Sequence, residues 1–412
     1  MKTVLVRALA CFSLLLCGVL LPSSPTALSV SDPNNRACSG PNNSQNPDAN
    51  GWPCIATVEE GTVALIRAGS TDPFQGQFCG GVLVRSDWVL TAAHCIWDDG
   101  TSSTLDPGAV LVGARLYNLE AMSASDLYAV DQIHAYPLWT IAQRSSSRAL
   151  KMGFFDLAVL HLDRPVVGVQ AQEQRLNPRA FGDTLNTDSF GWVYGWGENG
   201  TGYFSPDLVQ GRVTISTRNW CGYATKVIGV LCATPPGSNH PTTCAGDSGG
   251  PLWVTINATS PDYKLRLVGI TSFGPGKCER GTPGAYTDVG VYKPWIAHAT
   301  RARDPNVSIP LVTKLKATPS GRGVRLRAQW CQAGGKNHPI RVDYIVYQGA
   351  ASKKKNRRVY RQRGRAGAFC STWTKTIPGA LKAGKWQFLA KVIDLENKMA
   401  GETDFSAPFT VK

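Results

Sequence analysis

Residues 244 to 251, Cys244-Ala245-Gly246-Asp247-Ser248-Gly249-Gly250-Pro251, set one serine in a glycine-walled turn. Glycines on both sides reach torsions closed to other residues and let a substrate carbonyl approach the main chain. In such a turn the N–H groups of Gly246 and Ser248 can converge on one oxygen. A serine hydroxyl is a weak nucleophile at neutral pH, so the stretch has chemical meaning only if a base and a group orienting that base lie elsewhere in the chain.

Both have candidates upstream. His94 ends the apolar run Trp88-Val89-Leu90-Thr91-Ala92-Ala93, which places an imidazole at the end of a strand. Asp156 is set in the apolar segment Phe154-Phe155-Asp156-Leu157-Ala158-Val159-Leu160. A carboxylate buried there without a donor would be costly, so a partner is expected. Taken singly, His94 reads as a core histidine, Asp156 as a structural acid and the glycine run as a turn. Taken together, the order His, Asp, Ser is one of the convergent orders of the catalytic triad. His134, His161, His240, His298 and His338 lack such a context and are read as structural or surface residues.

From about Gly61 to Arg303 the chain resembles the trypsin/chymotrypsin-like serine proteases. The resemblance rests on Cys79-Gly80-Gly81, the Thr91 to Cys95 run, Asp156-Leu157-Ala158, Gly195-Trp196-Gly197 and Gly246 to Gly250, all in the family's order. It implies His94 as general base, Asp156 as the group that orients it, Ser248 as nucleophile, and the N–H groups of Gly246 and Ser248 as oxyanion hole. It implies Ser272-Phe273-Gly274 as the strand that pairs with substrate, and Val291 to His298 as the short helix that closes the second barrel. The segment between His94 and Asp156, with Tyr128 to Ile133 and polar Gln143 to Arg148, is expected to form a surface loop beside the cleft.

By the same resemblance Thr242 floors the side-chain pocket and Gly274 and Gly284 form its walls. An aspartate at the floor would attract Lys or Arg; Thr242 is uncharged, and the glycines leave room for a bulky apolar residue. Activation departs from the family pattern. Resembling zymogens are cut before an Ile-Val-Gly-Gly-like start whose ammonium pairs with the acid preceding the serine, here Asp247. The chain has no such start; Gly51 to Val58 stands at about that place.

The cysteines and the first residues indicate compartment. Residues 1–28 carry Lys2 and Arg7 ahead of an apolar run from Ala8 to Leu21, and read as a secretory signal peptide. Ten of the 12 cysteines remain once Cys11 and Cys17 leave with it, an even number for an oxidising compartment. The resemblance implies Cys79–Cys95, Cys221–Cys232 and Cys244–Cys278; locality then pairs Cys38 with Cys54 and Cys331 with Cys370. No CxxC pair or histidine cluster suggests a metal, and neither metal nor cofactor is expected. Asn42, Asn199, Asn257 and Asn306 each open an Asn-x-Ser/Thr sequon.

At 412 residues the chain exceeds one protease domain. Residues 29–60, rich in Asn, Pro and Ser, read as a disulfide-tied extension or propeptide, 61–303 as the protease domain, and 304–311 as a linker. Residues 312–412 read as a basic β-sandwich-like domain. From Pro310 on there are 21 Lys and Arg against five Asp and Glu, whereas the whole chain carries only +14, so strong basicity is confined to this end. Short alternating runs there suggest an antiparallel sandwich. Lys353 to Arg358 with Arg361, Arg363 and Arg365 form a dense basic stretch, either a solvated hairpin or a contact for an anionic surface or polysaccharide. The expectation is an all-β chain with two antiparallel β-barrels of chymotrypsin type and a small β-sandwich. It is read as a secreted serine endopeptidase acting on protein or peptide substrates, without a membrane span. The competing reading is a catalytically silent protease homologue that binds an extracellular partner.

Overall fold

The computed structural model describes residues 54–55, 61–143, 155–169, 190–198, 204–216, 229–235, 243–256, 264–274 and 281–301. Beyond these it describes 310–320, 323–332, 338–348, 355–366, 370–377, 383–396, 400–402, 409–411 and the single positions 171, 176, 202, 221, 237 and 381. The chain divides into two compact units, Met1–Arg36 and Ala37–Lys412. The first unit lies outside the described residues, as do Cys38, Thr242 and Cys278.

Two closed antiparallel barrels follow one another. The first comprises β1 (Thr62–Arg67), β2 (Gln77–Arg85), β3 (Trp88–Thr91), β4 (Val110–Gly113), β5 (Leu127–Ala135) and β6 (Ala158–Leu162), closing in the order β1-β2-β3-β6-β5-β4. Its strands are apolar and rich in valine: Val63, Leu65, Val82, Val84, Val89, Leu90, Val159 and Leu160 are fully buried, and the adjacent pairs Val89-Leu90 and Val159-Leu160 show burial on both faces. Tyr128 to Ile133 is not the expected loop but the middle of β5. Tyr128 and Val130 point into the barrel while Ala129 and Asp131 face out, the period-two pattern of a half-buried strand.

The second barrel comprises β7 (Phe190–Gly195), β8 (Val209–Ser216), β9 (Val230–Thr234), β10 (Pro251–Ile256), β11 (Lys264–Phe273) and β12 (Gly284–Asp288). The sheet runs β8-β7-β10-β11-β12-β9, and pairing of β8 with β9 closes it. Cys54–Ile55 adds a two-residue strand against Gln210 and Val209. Helix α1 (Pro137–Gln143) follows β5 between two strands of the first barrel, and α2 (Val289–Ala299) follows β12. Asp288 caps α2 by accepting from Gly290 N at 3.0 Å. Tyr292 and Trp295 of α2 meet Tyr136 edge-on at centroid distances of 5.0 and 5.1 Å, so the expected helix packs onto the first barrel. No described helix is long and apolar enough to cross a membrane.

The remaining strands form two further sheets. β13 (Leu311–Ser320), β14 (Gly323–Cys331) and β17 (Cys370–Ile377) form one; β15 (Pro339–Gln348), β16 (Lys355–Arg365), β18 (Gly384–Asp394), β19 (Ala400–Glu402) and β20 (Phe409–Val411) form the other. Alternation buries Val324, Leu326, Ala328 and Trp330 from the first, and Ile340, Val342, Tyr344, Phe388, Ala390 and Val392 from the second. The sheets approach closely enough that a Cβ on Gly364 would lie 2.8 Å from the Trp373 ring. Cys331–Cys370 joins β14 to β17 within the first of these sheets.

Candidate active site

Asp156 is fixed from every side. It is 1% exposed, and Phe155 before it adopts a left-handed φ of 66°. Leu157 N donates back to Phe155 O at 2.8 Å, tightening the turn that aims the carboxylate. Thr287 Oγ1 donates to the Asp156 carbonyl at 2.8 Å. The carboxylate accepts from His94 N on Oδ1 at 2.9 Å, and on Oδ2 from Ser272 Oγ at 2.5 Å. The same Oδ2 lies 2.7 Å from His94 Nδ1. His94 sits in the single turn Ala93–Ile96 after β3, pinned by the Cys79–Cys95 disulfide. Burial disfavours the imidazolium, but the charge and hydrogen bond of Asp156 outweigh it and raise the His94 pKa above its ordinary 6.5. Cys79, His94 and Cys95 cluster like metal ligands, yet the two sulfurs are bonded to each other.

Ser248 occupies a turn held by both barrels. Its carbonyl accepts from Gly80 N of β2 at 2.7 Å. Gly249 N donates to Thr271 O at 2.8 Å and Thr271 N to Gly250 O at 2.9 Å, fastening the turn to β11. Gly246 and Gly249 have φ of 94° and 81°, closed to ordinary side chains. A Cβ on Gly249 would also collide with Thr91 Oγ1 and the Gly80 carbonyl. Gly249→Ala is therefore expected to destabilise the fold by about 2–4 kcal/mol, read as a lowered urea midpoint. A change under about 0.5 kcal/mol, the range of an ordinary surface substitution, would contradict this account.

The N–H groups of Asp247, Gly249 and Gly250 all have backbone acceptors, whereas those of Gly246 and Ser248 have none among the described residues. Ser248 Oγ likewise makes no hydrogen bond among the described residues, and His94 Nε2 lies 3.8 Å from Cys95 Sγ. Gln77 Nε2, missed in the sequence, bridges Gly246 O at 2.8 Å and Cys79 O at 3.1 Å, anchoring the turn from β2. The Asp247 carboxylate points inward, accepting from Gly197 N at 2.8 Å and Cys244 N at 2.9 Å. Burial pushes its pKa up to about 6 against these two donors. No cationic side chain pairs with it among the described residues.

Of the pocket residues, Thr242 lies outside the described residues. Gly284 packs against Thr243 and Tyr286, whose hydroxyls lie 3.2 Å apart, and a Cβ there would meet Tyr286 Oη at 3.0 Å. A Cβ on Gly274 would meet nothing closer than Thr243 O at 4.0 Å. Phe273 packs against the cluster of Cys221, Val230, Cys232 and Ala285. Ser272, expected as part of the substrate-pairing strand, also commits its hydroxyl to Asp156. Cys221 is bonded to Cys232, and Cys244 is disulfide-bonded, its expected partner Cys278 lying outside the described residues.

Twin antiparallel barrels that bring a buried aspartate, a histidine and a glycine-held serine turn together define a serine-hydrolase architecture. Known proteins agree: residues 42–296 match the family model described as Trypsin. A mouse protein, Tryptase, is 31% identical over 245 residues, 56% of this chain and 81% of its own length. Trypsin iota of Drosophila melanogaster is 31% identical over 233 residues, 54% of this chain and 79% of its own. The chain belongs to the trypsin family of serine-type endopeptidases.

Proposed function

We propose that this chain is a secreted endopeptidase in which Ser248 attacks the scissile carbonyl, His94 takes its proton and Asp156 stabilises the resulting imidazolium. The supporting observation is the 2.7 Å contact of His94 Nδ1 with a carboxylate that is 1% exposed and held by three other donors to its oxygens and carbonyl. With Nδ1–H tied to Asp156, the neutral ring presents Nε2 as base. The tetrahedral oxyanion is received by the N–H groups of Gly246 and Ser248. Collapse expels the amine with the proton from His94, leaving an acyl-enzyme; water, activated by the same imidazole, then releases the acid.

Two glycine walls and an uncharged Thr242 support a preference for bulky apolar residues before the scissile bond. The apolar leader, disulfides and even cysteine number support secretion. Processing in the 29–60 segment would supply a cation for Asp247, making the intact chain a zymogen. The basic 312–412 segment would hold the enzyme at an anionic surface.

The test is labelling of the secreted protein with a fluorophosphonate, comparing wild type with Ser248→Ala and reading the N-terminus of the labelled species. Labelling is expected only with Ser248 present, together with faster hydrolysis of Phe and Leu esters than of Arg esters. Equal labelling of Ser248→Ala, or none in any processed form, would exclude the proposed nucleophile.

A further inference from the structure

The edge strand β16 carries Arg361, Arg363 and Arg365 at two-residue spacing, so their side chains leave one face of the sheet. The opposite face, with Ile340, Val342, Tyr344 and Val346 of β15, is buried, whereas Arg361, Arg363 and Arg365 are exposed, so the arginine side is the outer one at this edge. Register sets Arg363 directly across from Arg341, Arg361 across from Asp343, and Lys391 of β18 across from Asp343 on its other side. Like charges facing each other across two strands are destabilising, and an anion bound over Arg341 and Arg363 would relieve that repulsion.

Three carboxylates near the patch have these contacts among the described residues. Asp343 is shared by Arg341 at 3.1 Å and Arg361 at 3.8 Å. Asp394 and Glu396 are drawn to His338 at 2.8 and 3.2 Å. Arg363 has no carboxylate partner among the described residues, and the Arg361 side chain is 67% exposed.

We propose that this outer face, centred on Arg341, Arg361, Arg363 and Arg365, is a binding surface for a linear acidic polysaccharide; it rests on the anionic-surface reading of the basic segment above. Charge complementarity is the first argument. Residue type is the second: the cations of this patch are chiefly arginines, whose planar forks match carboxylate and sulfate oxygens two at a time. The rings of the central strands are the third. Tyr344, Tyr347, Trp386 and Phe388 are buried, so none is offered for the base stacking that single-stranded nucleic acid uses, while Arg361, Arg363 and Arg365 of the edge strand are exposed.

The test uses the full-length chain with heparin and polygalacturonate as probes, across a salt series. Arg361→Ser/Arg363→Ser/Arg365→Ser is expected to weaken heparin binding at least tenfold. The slope of log affinity against log salt should fall by about three, one for each cation removed. Lys316→Ser/Arg325→Ser/Arg327→Ser, which removes as many charges from the other sheet, is expected to bind nearly as wild type. Ester hydrolysis and melting temperature of each variant report folding. Equal weakening by the two triple variants would overturn the assigned face while leaving the anionic reading intact. Tighter binding of single- or double-stranded DNA than of either polysaccharide would overturn the assigned ligand class. Failure of wild type to bind any of the probes would remove the underlying reading as well.

Discussion

Asp156→Asn is expected to lower kcat/KM by about 10⁴-fold and to move the acid limb of its pH profile downward. The carboxylate accepts from the His94 backbone, the His94 ring and the Ser272 hydroxyl. An asparagine offers one acceptor oxygen and one donor nitrogen, so at least one of these contacts becomes donor against donor or reverses. Where the amide donates to Nδ1, the ring proton must move to Nε2, and the nitrogen proposed as the base for Ser248 can no longer take a proton. The sign of the pH change follows from the causes of the His94 shift. Burial lowers its pKa, and the Asp156 charge and hydrogen bond raise it further than burial lowers it. Without that charge the burial effect remains alone, so the midpoint passes from above 6.5 to below it. A general base works in its neutral form, so wild type loses activity as pH falls through the higher value and the variant keeps its residual activity to a lower one. Profiles of kcat/KM on an apolar ester would decide it. An unmoved acid limb, or a loss smaller than tenfold, would refute the assignment of Asp156.

The candidate residues of this site stand out in the sequence because they lie in short motifs. Gly246 to Gly250 announces a backbone conformation, and an aspartate in an apolar run announces a buried partner. What holds those groups was not legible. Ser272 and Thr287 reach Asp156 across separations of 116 and 131 residues, and Gln77 reaches Gly246 across 169. A hydroxyl or amide in a strand gives no local sign of which distant atom it will meet. The barrel strands were readable where their inward residues are apolar. β5 was misread because Asp131 and Gln132 on its outer side interrupt the pattern that Tyr128 and Val130 make on the inner one. The same reason conceals β16, which runs from Lys355 to Arg365 through the stretch that reads only as densely basic. An edge strand with an arginine face lacks the hydrophobic alternation by which strands are recognised. The Thr243–Tyr286 hydroxyl contact beside Gly284 joins residues 43 apart and was not legible.

For Asp247→Asn the expected result is opposite in sign for stability and for activity. The carboxyl titrates at about 6 in the folded chain against 3.8 as an ordinary aspartate, because burial outweighs the N–H groups of Cys244 and Gly197. A raised carboxyl pKa means that the folded chain binds the proton more tightly than the unfolded one. Stability therefore declines as pH rises from about 4 to about 6 and stays at the lower value above that, a loss of about 3 kcal/mol. Asparagine removes this decline, so the unprocessed variant should melt higher than wild type at pH 8 and nearly alike at pH 4. Two N–H donors face the carboxylate and an amide has one oxygen, so the gain will fall short of the full figure. If processing delivers an ammonium group to Asp247, the processed wild type also loses the decline, since the paired carboxylate no longer resists ionisation. The neutral amide of the variant cannot make that charge pair, and the turn carrying Gly246 and Ser248 would then lack the contact that sets it. The variant should accordingly label with fluorophosphonate at least about 100-fold more slowly, the loss associated with an oxyanion donor. Melting curves from pH 4 to 8 on unprocessed and processed protein, paired with labelling rates, test both halves. Parallel curves for wild type and variant would show that Asp247 is already paired in the unprocessed chain. Full labelling of the variant would show that the serine turn assembles without it.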